Sequence, residues 1–206
     1  MIFAAIQSAA SALASVATWA VPGESSSTAV TESLHRLLNE LKLLEKDRQK
    51  ELNKALGNQE FMRHKPMTEF LSILSFVDCL FMEYLCYYDA VNTLILSDEG
   101  SEASRKAIKT IDASTEQVVQ FNNIVKSQGE KLSPPNLRMS GQTDHLQALF
   151  KSTIEKNEEI EAQLRPKLSD ASFKERMKDL PHLPEGGGGK DSDVGKIIRA
   201  HFCAKK

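Results

Sequence analysis

The sequence predicts an all-α protein: a single-domain helical bundle of about five to seven helices around a central apolar helix at 67–97, with an uncharged amphipathic helix at its N-terminus. Three observations lead there. Period-two alternation never persists beyond a few residues, whereas the Leu and Ile patterns recur at spacings of three and four. A chain of 206 residues that is 41% hydrophobic is long enough to bury one sizeable core. On a helical wheel, Phe70, Ile73, Val77, Leu80, Phe81, Tyr84, Tyr88, Val91 and Ile95 centre one face of 67–97, and Leu74, Phe76, Tyr87 and Leu94 widen it to roughly 160°. Such an arc touches several neighbours at once. The stretch also carries Glu69, Asp78, Glu83, Asp89, Asp98 and Glu99 with no Lys or Arg, so a membrane span is disfavoured and a bundle interior favoured. Asp78 and Asp89 are expected to meet basic groups from 31–65 or from the C-terminal helix.

Taken in order, the chain starts with 23 residues that contain no charged side chain. Residues 1–21 read as a helix whose polar stripe is Gln7, Ser8, Ser11, Ser15 and Thr18, set against an apolar side with Ile2, Phe3, Ile6, Leu13, Val16 and Trp19 as the membrane-contacting residues. Three readings fit this helix. It closes one side of the bundle, it acts at a membrane or in an oligomeric pore, or it is a targeting segment. A secretory signal lacks its positive n-region here. Pro22 and Gly23 stop the helix, and 22–30 is expected to be a hinge.

The bundle proper is expected over 31–180. Its first helix, from about Thr31 to Leu56, has Leu34, Leu37, Leu38, Leu41, Leu44, Leu52 and Leu56 on one side. The run Glu45-Lys-Asp-Arg-Gln-Lys-Glu51 inside it reads as a solvated turn. Gly57 to Pro66 reads as a connector leading into the central helix. A further helix is expected over 104–128, with Ile108, Ile111, Val118, Phe121 or Asn122, and Val125 inward. Another is expected over 143–165, with Leu146, Leu149, Phe150, Ile154, Ile160 and Leu164, broken by Pro166. The spacing of Ser172 and Glu175 is that of a capping box opening a short helix with Phe173, Met177 and Leu180. Residues 181–191, with four consecutive glycines, read as a tether, and 192–206 as a C-terminal amphipathic helix whose partner-binding face is Val194, Ile197, Ile198 and Phe202.

The composition argues against several kinds of chemistry. With 26 basic and 28 acidic side chains the net charge is −2, and the two signs alternate along the helices, so no nucleic-acid partner is expected. His35, His64, His145, His182 and His201 are scattered with no ligand spacing, so neither a metal nor another cofactor is expected. Gly189-Lys190 lacks the glycine and the hydroxyl residue of a phosphate loop. No Gly-x-Ser-x-Gly occurs, and the Glu158-Glu159-Ile-Glu161 cluster reads as a solvated helix face. Cys79 and Cys86 lie about 10.5 Å apart along one helix, too far to bridge, and read as small buried hydrophobes. An odd, sparse cysteine count fits a reducing compartment. A non-enzymatic, cytoplasmic protein, membrane-associated at need, is the expectation.

The opening Met1-Ile-Phe-Ala-Ala-Ile-Gln-Ser-Ala-Ala followed by Leu34-His-Arg-Leu-Leu-Asn-Glu-Leu41 resembles the HeLo-like helical-bundle domains of cell-death and fungal incompatibility proteins over about the first 60 residues. The resemblance implies that the N-terminal helix leaves the bundle and inserts into membrane after oligomerisation. The expected function is therefore membrane association, insertion or oligomerisation through residues 1–21. The partners expected are a lipid membrane or a helical protein, with self-assembly as a homo-oligomer. Two alternatives remain: a soluble scaffold or adaptor that binds a partner helix, and a secreted helical binding protein with 1–20 as signal peptide.

Overall fold

The computed structural model describes residues 28–131, 140–183 and 192–202. Every regular element among them is a helix: α1 (Thr28–Leu56), α2 (Gln59–Arg63), α3 (Lys65–Leu96), α4 (Glu102–Gly129), α5 (Ser140–Leu168), α6 (Ala171–Met177) and α7 (Asp193–Phe202). The chain divides into two units, Met1–Thr31 and Glu32–Lys206, and the bundle is the second. The helix expected over 1–21, most of the hinge, and the tether from 184 to 191 lie outside the described residues.

The central helix is α3. Eighteen of its residues are buried, from Met67 through Leu94, because its apolar residues leave only a narrow polar strip. By length and composition it could cross a membrane, yet 67% of its most apolar window is buried inside the bundle, which is how a core helix looks. Pro66 occupies its first turn, where the missing amide hydrogen costs nothing. The core gathered on it runs from Leu34, Leu38, Leu41 and Leu52 of α1, through Ile111, Val118 and Val125 of α4, to Phe150, Ile154, Ile160 and Leu164 of α5 and Phe173 and Met177 of α6.

Of the other helices, α4 lies closest to α3 along its length. Its buried face is studded with small residues, Ser104, Ala107, Ser114 and Thr115, and short side chains let two helix backbones approach. The tight link between the two uses Gly100 at φ 73°, a left-handed conformation that favours glycine. Ser101 then caps α4, its hydroxyl accepting from the Ser104 amide at 3.1 Å. By contrast, α1 and α5 meet α3 mainly through long side chains. Contacts between Ser33 and Gln163 and between Glu40 and Lys156 run α1 antiparallel to α5.

Several boundaries depart from expectation; α5 starts at Ser140, three residues early, and α6 ends at Met177, short of Leu180. Three of the hinge residues, 28–30, are already helical, since nothing after Gly23 breaks the chain. The connector at 57–66 holds a short helix, capped by Asn58, whose Phe61 is buried. Pro166 does not end α5, which continues to Leu168; the proline is exposed and sits in the last turn, where only one ladder bond is lost. And α6 is capped by Asp170 rather than by Ser172: the Asp170 carboxylate accepts from the Ser172 and Phe173 amides at 2.9 and 3.3 Å.

Candidate functional site

Core-facing positions on α1 recur at alternating steps of three and four: Leu34, Leu38, Leu41, then Glu45 and Arg48, then Leu52 and Ala55. The same spacing on α5 runs Leu146, Phe150, then Thr153 and Asn157, then Ile160 and Leu164. In both helices polar residues replace apolar ones mid-stripe. They face α3 and form a polar seam inside the bundle.

Arg48 is its centre, 1% exposed. Its Nε donates to the Asp78 carboxylate of α3 at 2.9 Å, and its Nη1 donates to the Thr153 hydroxyl of α5 at 2.6 Å. The Thr153 hydroxyl in turn donates to the Leu149 carbonyl at 2.9 Å. The guanidinium carbon stands 5.1 Å from the Phe81 ring centre and 5.8 Å from that of Phe150, so two aromatic faces cover the charge. One side chain thus ties three helices together. The charged run 45–51 is therefore not wholly solvated as expected: Lys46 and Asp47 are exposed, but Arg48 points inward on the apolar stripe.

The expectation for the two aspartates of α3 is met. Asp78 pairs with Arg48, and Asp89, nearer the surface, pairs with Lys42 at 3.5 Å. Farther along, the Tyr88 hydroxyl donates to the Glu161 carboxylate of α5 at 2.7 Å. Glu161 is thus a half-buried acceptor, a correction to the reading of 158–161 as a solvated face. Between these anchors lies Asn157, 0% exposed, with neither its amide nitrogen nor its oxygen hydrogen-bonded; the Asn92 side-chain oxygen of α3 is also buried without a partner. Each such atom costs about 1–3 kcal/mol of desolvation.

Burial pushes the Asp78 carboxyl above its ordinary range, outweighing the Arg48 charge and hydrogen bond that pull it down. Burial likewise raises Glu45, against the pull of Arg48, then Glu83, against a hydrogen bond with Ser114, and Glu161, against one with Tyr88. Acids that are raised in the folded state hold protons more tightly there than when unfolded. Their stabilising effect is full at low pH and is lost as pH rises through the window above the ordinary carboxylate range. The opposing shifts at Glu40 and Asp170 arise on fully or nearly exposed groups and are screened. The urea midpoint is expected to rise between pH 7 and about pH 5; a midpoint that falls over this range contradicts the assignment.

Of the sequence-predicted site residues, Ile2, Phe3, Ile6, Leu13, Val16 and Trp19, and the stripe Gln7, Ser8, Ser11, Ser15 and Thr18, lie outside the described residues. So do the side chains of Val194, Ile198 and Phe202. Ile197 is half-buried, and α7 has α4 and α5 as its main neighbours rather than the acidic α3. Gly129 of α4 provides the notch: a Cβ there would stand 2.8 Å from the Ile197 Cδ1. Ser192 caps α7, its hydroxyl accepting from the Gly195 amide at 2.9 Å. No group of His, Cys, Asp and Glu arranged to hold a metal occurs among the described residues. Burial raises the thiols of Cys79 to about 11 and Cys86 to about 12, far from the range of a reactive thiolate. No known protein family, no curated protein and no solved structure matches the chain.

Proposed function

We propose that this is a non-enzymatic helical-bundle protein whose uncharged N-terminal segment, residues 1–21, mediates membrane association and self-assembly. The observation that carries the reading is in the sequence: residues 1–23 contain no charged side chain, and Gln7, Ser8, Ser11, Ser15 and Thr18 share one side of the helix expected there. Among the described residues the core of the bundle spans Leu34 to Met177. A segment with Ile2, Ile6, Leu13 and Val16 opposite a neutral polar stripe, flanked by Phe3 and Trp19, is suited to the bilayer interface, where its apolar side leaves water and its hydroxyls stay hydrated. The resemblance to HeLo-like domains points the same way and suggests a role in cell-death or incompatibility responses, with the protein cytoplasmic at rest.

Because residues 1–23 hold no charged side chain, their membrane binding is expected to depend little on salt or on anionic lipid. The test is co-sedimentation of the full chain with phosphatidylcholine vesicles. Leu13→Asp places a charge on the apolar side, which costs about 2.5–3.5 kcal/mol at full depth and less at the interface. At least a tenfold loss of vesicle-bound protein is the expected result. Equal sedimentation of the variant, or none by the intact chain, overturns the proposal and leaves the soluble scaffold as the better reading.

A further inference from the structure

The bundle is held together in two different ways. Along α3 and α4 the backbones come close over small side chains, and the polar groups that enter the shared interior find partners: Ser114 bonds Glu83, the Asn122 amide donates to the Tyr84 hydroxyl at 3.5 Å, and the Thr115 hydroxyl donates to the Ile111 carbonyl. Along α1 and α5 the inner surface that meets α3 carries the polar seam: Arg48 and Thr153 meet Asp78, Glu161 meets Tyr88, Glu45 and Asn157 continue the two stripes, and Asn92 stands one turn beyond Tyr88 on α3. These two helices are also tied to each other, through Gln163 to Ser33 at 3.0 Å and Lys156 to Glu40 at 2.6 Å.

We infer that the seam is a release latch: α1 and α5 come away from the α3–α4 pair as one layer, in an opening well below global unfolding. A buried ion pair contributes little net stability compared with an apolar contact of the same shape, because its desolvation offsets its attraction. When the layer lifts, Arg48, Asp78, Thr153 and Glu161 regain water, and both amide atoms of Asn157 and the Asn92 oxygen gain hydrogen bonds that they lack when closed. An apolar seam would have no such return. Parting α4 from α3 breaks the Ser114–Glu83 and Asn122–Tyr84 bonds and frees no buried unpaired side-chain atom of α4. The opening is therefore directed to one interface, and it uncovers the face of α3 that carries Phe81, Leu85 and Tyr88. The ties between α1 and α5 keep the departing layer in one piece.

Native-state hydrogen exchange on the full chain, in sub-denaturing urea, tests this directly. Buried amides of α1 and α5 are expected to share one opening that leaves the amides of α3 and α4 protected. The variant combining Arg48→Met, Asp78→Leu and Thr153→Val makes the seam apolar and is expected to slow that opening at least tenfold. Asn157→Leu, a single change of similar volume, is expected to slow it in the same direction and decides the matter where the triple variant does not fold. A single common exchange isotherm for all four helices in the unsubstituted protein overturns the latch, as does unchanged α1 and α5 exchange in Asn157→Leu together with the folded triple variant.

Discussion

Replacing Arg48 by Ala lowers the unfolding free energy by about 3–5 kcal/mol, the range for removing one partner of a buried ion pair. Truncation leaves the Asp78 carboxylate, 5% exposed, without its cation and the Thr153 hydroxyl without its charged donor. It also leaves a void between the Phe81 and Phe150 rings, whose centres lie 6.0 Å apart and which the guanidinium covers from one side. Three helices lose their common tie at once, so the effect should appear as one cooperative loss rather than as fraying of α1. The control is Lys46→Ala two residues away, which is exposed and expected to change stability by less than about 0.5 kcal/mol. Urea unfolding followed by circular dichroism separates the two. An Arg48→Ala loss no larger than that of Lys46→Ala would show that the charge is solvated after all.

Much of the fold is legible in the sequence because helix periodicity is local. The wide apolar arc of 67–97 marks the central helix, which the structure extends only to Lys65–Leu96, and the lack of basic residues there predicts the cations that Asp78 and Asp89 find in Arg48 and Lys42. The seam itself was hidden. Arg48 sits in an unbroken run of polar residues, and a run of charge reads as surface when judged by composition. Position carries the missing signal: Arg48 stands seven residues after Leu41 and four before Leu52, on the stripe of buried leucines. Thr153 and Asn157 occupy the same kind of place between Phe150 and Ile160. A polar residue at a core position is noticed only when the stripe is followed through it, and its partner comes from a helix 30 or 105 residues away. The ends of helices were harder for a different reason. Several acceptors compete to cap α6, and Asp170 prevails over Ser172 because its carboxylate reaches two amides together.

The second large effect concerns the uncharged segment. Removing residues 1–21 is expected to abolish release of dye from vesicles while leaving the urea midpoint of the bundle where it was. If the segment were instead a wall of the bundle, its removal would uncover apolar residues of the core and strip Ile2, Ile6, Leu13 and Val16 from it, at roughly 1.5–3 kcal/mol each, and the midpoint would drop steeply. The two accounts therefore differ in both observables, and in opposite senses. The proposed self-assembly also predicts that release rises more steeply than linearly with protein concentration. The most direct measurement is dye release from phosphatidylcholine vesicles by the intact chain and by the chain lacking residues 1–21, at matched concentrations. Release by the intact chain alone is the predicted result; equal release by both, or by neither, contradicts it.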